Sequence, residues 1–191
     1  MMPYLPLIMW RIGGMGNVYD YNYGTKFTDK FQETIERVRC DFDRTKVELL
    51  RERFLLPFQN WCTKNGVLSR AQAYGRGYHP LESSLVVDIP EGETWIKYGV
   101  GEEISETDYR IGRAYTQANK FVSSGAHLSG KRLISCEECT NTDMVFNATL
   151  QMIKLASDQS FITGITHSVY HGFNYSLKMR HFRGGYGMGT I

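Results

Sequence analysis

Three times along the chain a β-branched or apolar run ends in a cluster of polar residues and gives way to helical spacing: residues 69–75 (SRAQAYG), 85–93 (LVVDIPEGE) and 132–140 (RLISCEECT). A fourth run, 165–172 (ITHSVYHG), closes the series. Strands that alternate with helices build a parallel sheet, because each return to the next parallel strand needs a dozen or more residues and a helix supplies them. In such a series the residues able to do chemistry collect at the carboxyl ends of successive strands. The expected fold is therefore α/β, a partial (β/α)8 barrel of the TIM type with about four parallel strands alternating with helices. A complete barrel needs roughly 250 residues. This chain has 191, so it reads as a piece of a catalytic domain.

Composition narrows the classes further. Hydrophobic residues make up 42% and charged residues 22%, with a formal charge of +2, as in an ordinary globular polypeptide with one core. The 22 Lys and Arg are balanced by 20 Asp and Glu and spread along the chain, which excludes a nucleic-acid footprint except over the basic last sixteen residues. No segment approaches the ~20 apolar residues of a membrane span. The opening MMPYLPLIMW carries Pro3 and Pro6 and lacks both a basic leader and a small-residue cleavage site, so it fails as a signal peptide, and the chain as written is expected in the cytoplasm. Cys40, Cys62, Cys136 and Cys139 are too few and too scattered for a disulfide scaffold, and free thiols are expected. Aromatics reach 13%; Trp and Tyr serve as platforms for sugar rings and equally as core and rim fillers.

The Gly-Tyr-rich residues 5–28 read as a loop beside a site. Gly13, Gly14 and Gly16 lack the trailing Lys-Ser/Thr or a third spaced glycine that a phosphate loop requires. Residues 28–65 are helical, with Phe31, Ile35, Val38, Phe42, Val47, Leu50, Phe54 and Phe58 near 3.6-residue spacing, a kink or break at Pro57 and a stop at Asn65-Gly66. In the strand that follows, Arg70, Gln72 and Tyr74 share one face, aimed along a barrel axis toward the rim; a solvated edge strand is the alternative. Residues 85–89 read as a buried strand that delivers Pro90, Glu91, Gly92 and Glu93 into a loop. Helical patterns cover 105–129, stopped by Gly130, and 143–163, through Met144, Phe146, Leu150, Ile153 and Leu155, stopped by Gly164. The strand 132–136 ends at Glu137. In the last strand His167, Val169 and His171 lie opposite Thr166, Ser168 and Tyr170.

Two carboxylates at the ends of neighbouring strands are what glycoside hydrolysis needs, one as acid on the leaving oxygen and one as base on water or as nucleophile. Glu91 and Glu137, each the first glutamate after its strand, are the candidates, for catalysis or for holding a metal; glutamates so placed also cap helices or face solvent. Cys136-Glu-Glu-Cys139 admits a redox CxxC, but half a zinc site is disfavoured because no second CxxC or His pair matches it. His167 and His171 would stand about 13 Å apart on a strand and cannot share an ion. The sequon at Asn147 falls within a helical pattern and is read as chance.

Four ordered motifs now carry a resemblance. RAQAYG (70–75), VDIPEGETW (87–95), SSGAHLSGKRLISCE (123–137) and HSVYHGFNYS (167–176), preceded by VRCDFDRTKVELLRERFLLPFQNWCTKNG, resemble the catalytic barrel of the α-L-rhamnosidases of glycoside hydrolase family 106 over most of residues 3–175. The resemblance implies an inverting, calcium-assisted hydrolase that removes terminal α-L-rhamnose from an oligosaccharide or polysaccharide, in a family whose members are often exported. It implies Glu137 as a carboxylate favoured for general base, and Glu91 as a metal ligand or second catalytic acid group, with both able to hold calcium and the roles exchangeable. His127 and His171 would contact the sugar or orient a carboxylate, and Arg70, Gln72, Tyr74 and Tyr170 join them as substrate contacts. Calcium suits hard oxygen ligands at strand ends, where it can grip sugar hydroxyls.

The departures carry equal weight. Family members are far longer and contribute a further carboxylate from an Asp-Ser-Trp-Glu-like stretch before a Pro-Tyr-Leu-Pro segment, and this chain opens at Pro3-Tyr-Leu-Pro6. The expected division is a partial catalytic barrel at 1–175 and a tail at 176–191 that leaves the family pattern and reads as frame-shifted. A fragment of this kind is expected to have little or no turnover alone, with a non-catalytic carbohydrate-binding or assembly module on a half-barrel as the alternative. Either would expose a barrel edge open to self-association.

Overall fold

A computed structural model describes residues 2–4, 30–74, 78–97, 105–141 and 148–172. The Gly-rich loop 5–28, Met144, Phe146, Asn147 and the tail 176–191 lie outside these residues. Four strands, β1 (Arg70–Ala71), β2 (Ile89–Lys97), β3 (Ser135–Asn141) and β4 (His167–Tyr170), form one sheet in the order β1-β2-β3-β4, and every pairing is parallel. A helix stands in each crossover: α3 (Pro80–Val86), α4 (Thr116–Leu128) and α5 (Leu150–Thr163) follow α1 (Lys30–Leu50) and α2 (Leu56–Lys64). Sequential strand order with a helix in every return is the arrangement of consecutive units of a βα-barrel, whereas a doubly wound sheet reverses its order. No helix among the described residues is long and apolar enough to cross a membrane.

The helical run before the sheet matches its expected extent and localises the effect of Pro57. A proline has no N–H and its ring crowds the carbonyl four residues back. The chain answers with a π turn at Arg51–Leu55, where Leu56 N–H reaches Arg51 O five residues back, and resumes as α2 with Pro57 in its first turn. Asn65 ends α2 and Gly66 takes φ 68°. The stops at Gly130 (φ 71°) and Gly164 (φ 100°) also hold.

Strand boundaries differ from the sequence reading in β2 and β3, and β1 covers only Arg70–Ala71 of the expected 69–74. Residues 85–86 are the end of α3, not the start of β2: Pro80 presets the first turn and His79 caps it by accepting from Glu82 N at 3.2 Å, so the apolar run that follows continues a helix. The second strand begins at Ile89, and Pro90, Glu91, Gly92 and Glu93 lie inside it. Pro90 is tolerated because it stands one residue before pairing with β3 begins at Glu91↔Ser135. The third strand begins at Ser135 and carries Glu137, Glu138 and Cys139 within it. In the second crossover, residues 105–112 are turns and α4 starts only at Thr116, so the helical reading of 105–129 holds for its second half.

The core lies between the sheet and its helices. Val122, Ala126, Ile134, Cys136 and Ile165 form one cluster, and Ile96, Ile111, Cys139, Met152, Ile153 and Ala156 another. Each Val or Ile buried there stabilises by about 1.5–3 kcal/mol. Toward α5, strand β3 breaks the alternation: Glu93 pairs with Glu137 but Trp95 with Thr140, so β3 spans three residues where β2 spans two. This is a β-bulge, and Cys139 at its centre holds φ 62°. Alternation already turns Glu138 to the buried helix side; the extra residue sends Cys139 there as well and returns Thr140 to the face opposite the helices.

Candidate active site

The face of the sheet away from the helices carries its polar residues in layers set by register. In the lower layer Arg70, Glu91 and Ser135 meet across three strands: Arg70 Nε stands 3.1 Å from Glu91 Oε2, and Ser135 Oγ donates to the same oxygen at 2.6 Å. Glu91 is 7% exposed. A carboxylate so buried and held by a guanidinium braces the sheet, which corrects its assignment to a loop at the rim. Two residues further along, Glu93 and Glu137 are register partners on β2 and β3.

That upper layer is a network. Tyr74 Oη donates to Glu93 Oε2 at 2.8 Å, and Thr140 Oγ1 donates to Glu93 Oε1 at 3.0 Å. Gln72 Nε2 donates to Glu137 Oε2 at 2.5 Å, and His171 Nδ1 lies 3.5 Å from Glu137 Oε1. Thr140 has one proton. With that proton given to Glu93, its oxygen accepts from His171 Nδ1 at 2.8 Å, which assigns the imidazole proton to Nδ1. One ligand atom each from Glu93, Glu137 and His171 lie within 4.8 Å of one another.

Burial pushes the Glu93 carboxyl above the usual carboxylate range, and the Glu137 charge adds to it, against hydrogen bonds from Tyr74, Thr140 and Trp95 that hold it down. Burial and then the Glu93 charge push the Tyr74 phenol far above its ordinary value, so it stays a proton donor to Glu93. An aromatic wall flanks this side: Trp95 stacks on Tyr115 with centroids 6.0 Å apart, and Tyr74 meets Tyr115 edge-on at 6.2 Å.

The structure thus brings Gln72, Tyr74, Glu137 and His171 together as the sequence placed them, with Arg70 one layer below. It does not bring in Glu91, His127 or Tyr170. His127 is exposed in the last turn of α4, near the opposite end of the strands, because a crossover helix runs back to where the next strand begins. Tyr170 pairs in register with Glu138, so alternation turns it from the face that carries Glu137, and it is 50% exposed. Sequence reasoning missed Glu93 and Thr140. Period-2 spacing from Glu91 finds Glu93 once the strand is started at Ile89; the bulge that admits Thr140 leaves no such signal. The CxxC reading falls: all four cysteines are free, Cys136 and Cys139 are buried, and burial followed by the Glu138 charge pushes the Cys139 thiol to about 12 and that of Cys136 higher, the opposite of a reactive thiolate.

The donor set accommodates a hard cation. Glu93 and Glu137 are hydrogen-bonded by neutral groups (Tyr74, Thr140, Gln72), so their negative charge is not cancelled by those contacts, and their oxygens are the ligand type calcium takes. His171, bonded through Nδ1 to Thr140, serves such an ion as a neighbour rather than as an oxygen ligand.

Known proteins share this framework. The rhamnosidase from Novosphingobium sp. PP1Y has a solved structure that matches 73% of this chain and 13% of its own with a TM-score of 0.60 at 20% identity, a likeness of fold. A protein of Formosa agariphila, provisionally named a beta-glucuronidase, is 26% identical over 141 residues, which are 74% of this chain. The match is 11% of that relative, so the chain spans about a ninth of its length. The alpha-L-rhamnosidase family model matches residues 29–182, and the chain belongs to that family, glycoside hydrolase family 106.

Proposed function

We propose that this chain carries one side of the sugar-cleaving rim of an inverting α-L-rhamnosidase, with Glu137 as general base and Glu93, rather than Glu91, as the carboxylate that holds calcium beside it. The observation that supports this reading is the Glu93–Glu137 pair on adjacent parallel strands with neutral donors fixing both. Gln72, donating to Oε2, leaves Oε1 of Glu137 to take a proton from the attacking water. His171, 3.5 Å from that oxygen, orients it. Calcium, when bound, supplies a grip on sugar hydroxyls. The aromatic wall of Tyr74, Trp95 and Tyr115 offers an apolar face to the ring.

The separation of the pair supports this division of roles. Inversion needs its acid and base about 6.5–9.5 Å apart, with room for water between. Glu93 and Glu137 bring ligand atoms within 4.8 Å, which suits a shared cation and not an acid facing a base. The general acid then stands across the sugar, and the described residues place no other carboxyl in this cluster. The 191-residue chain alone is accordingly expected to bind calcium and to give little or no turnover of a terminal α-L-rhamnoside. Titration calorimetry with calcium chloride and a nitrophenyl α-L-rhamnoside assay test this together. Calcium binding lost in Glu93→Gln, with no hydrolysis, supports the reading; rapid hydrolysis by the pure chain overturns the assignment of the acid, and unchanged calcium binding in Glu93→Gln overturns that of the ligand.

A second reading, a non-catalytic binding or assembly module, is favoured by the open side of the sheet. Leu150 (82% exposed) and Ile162 (73%) lie uncovered on α5, and β4 is an edge strand among the described residues. A folded dimer without cleavage activity would support it.

A further inference from the structure

Glu93 sits in a stretch of β2 that has lost one of its two strand neighbours. Ile89 donates its N–H to Ser69 O at 2.9 Å on the β1 side. Every second residue of a strand turns its N–H and C=O to the same neighbour, so Glu91 and Glu93 face that side too. Yet β1 pairs only Arg70 with Ile89 and Ala71 with Pro90, which leaves the main chain of Glu93 with no strand beside it among the described residues. A buried backbone donor and acceptor cannot be left unmade without a penalty of about 1–3 kcal/mol each.

A single side chain from the helix layer takes both. Asn119 on α4, 1% exposed, accepts from Glu93 N through Oδ1 at 2.9 Å and donates from Nδ2 to Glu93 O at 2.8 Å. One accepted and one donated bond fix which end of the amide is oxygen. The approach requires Gly92, where a Cβ would stand 2.1 Å from Asn119 Oδ1 and 2.9 Å from its Cγ. The pair Gly92 and Asn119 therefore works as a unit, the glycine opening the space and the amide filling it.

We propose that Asn119 is a positioning residue for the Glu93 carboxylate, a one-residue surrogate strand that locks the main chain from which Glu93 reaches Tyr74, Thr140 and the Glu137–His171 cluster. Its functional consequence rests on the reading of Glu93 as a calcium ligand; the clamp on the main chain does not. Groups that orient a ligand typically change metal affinity 10–100-fold when removed. Asn119→Ala should weaken calcium binding by the 191-residue chain about tenfold or more, and Asn119→Asp, which keeps the acceptor and loses the donor, by less.

Two readouts on the same chain test this: calcium chloride titration calorimetry, and amide hydrogen exchange of Glu93 by NMR. Met152→Ala is the control, since Met152 is buried on α5 in the other core cluster, whereas Tyr74 packs against the cluster that holds Val122. It should lower thermal stability and leave calcium affinity unchanged. Asn119→Ala should speed exchange at Glu93 N–H at least tenfold, with the slowest core amides of β3 unaffected. Calcium affinity equal in Asn119→Ala and Met152→Ala overturns the positioning role; should Asn119→Ala not fold, Asn119→Asp is judged by the same comparison. If the unmodified chain binds no calcium, the calcium reading falls and exchange decides for the clamp alone: unchanged exchange at Glu93 overturns it, and accelerated exchange upholds it.

Discussion

Glu138 and Asp88 show how two carboxyls of one chain respond to opposite surroundings. Alternation along β3 takes Glu138 to full burial on the helix side, near the hydroxyls of Thr94, Ser160 and Ser168 and the Cys136 thiol, and neither carboxyl oxygen has a hydrogen-bond partner of normal geometry. Burial pushes it above the usual carboxylate range. The folded state therefore holds this proton more tightly than the unfolded one, and stability falls as pH rises through the window between the two values. Glu138→Gln should remove that fall, raising the melting temperature at pH 7.5 by a few degrees while leaving it nearly unchanged at pH 4, as a thermal melt series across pH would show. Asp88 lies at the amino end of β2. Slight burial raises its carboxyl, but Ser69 N at 2.9 Å, Gln59 Nε2 at 3.0 Å, Ser69 Oγ and the charge of Lys131 outweigh that and hold it below the usual range. Its contribution is present above the unfolded value and lost as pH falls through the lowered one. Asp88→Asn should lower stability at pH 7 and flatten the acid limb of the same series.

Elements here are held as much by close approach as by apolar area. The turn before α4 packs on α5 through Gly112, whose φ is 78° and whose added Cβ would stand 2.8 Å from Ala156 Cα. A side chain there meets both a left-handed backbone, worth about 1–2 kcal/mol for an L-residue, and a backbone atom that cannot move aside. Gly112→Ala should lower the urea midpoint at unchanged slope, equivalent to a loss of at least about 1 kcal/mol of stability. The helix α5 buries Met152, Ile153, Ala156, Ser157, Ser160 and Thr163, a face rich in small polar residues, and leaves Leu150 to solvent. Sequence periodicity through Leu150, Ile153 and Leu155 therefore met the buried face at Ile153, with Leu155 partly buried against it, and missed it at Leu150. Small residues were the signal it passed over, since they let the helix sit close enough for Thr94 Oγ1 to bond Ser160 Oγ at 2.5 Å.

Taken whole, the described residues form an open sheet with β1 and β4 at its edges. Much apolar surface stays uncovered: Phe31, Phe54 and Trp61 on the helical run before the sheet, and Leu150, Phe161 and Ile162 on α5. Unpaired edges and apolar faces of this kind invite association. Sedimentation velocity at rising protein concentration should show the chain moving from monomer to larger species, and a single monomeric boundary at every concentration would count against it. Charge substitution at Ile162, 73% exposed, should shift that equilibrium toward monomer without lowering the melting temperature.

The sequence by itself determined the order of strands and helices, the glycine stops and the shared face of Arg70, Gln72 and Tyr74, because each is a local matter of period, backbone freedom or alternation. It also carried the family, through motifs that need no geometry to recognise. Tertiary structure decided which carboxylates meet in the polar cluster. Glu91 and Glu93 are two residues apart on the same face, and nothing local tells them apart; Arg70 and Ser135 from neighbouring strands make one a brace, while Tyr74, Thr140 and Glu137 make the other part of a cluster. The register that sets those partners depends on where β2 begins and on one extra residue at Cys139; the first follows from pairing with β1 about twenty residues back and the second from pairing between segments more than forty residues apart.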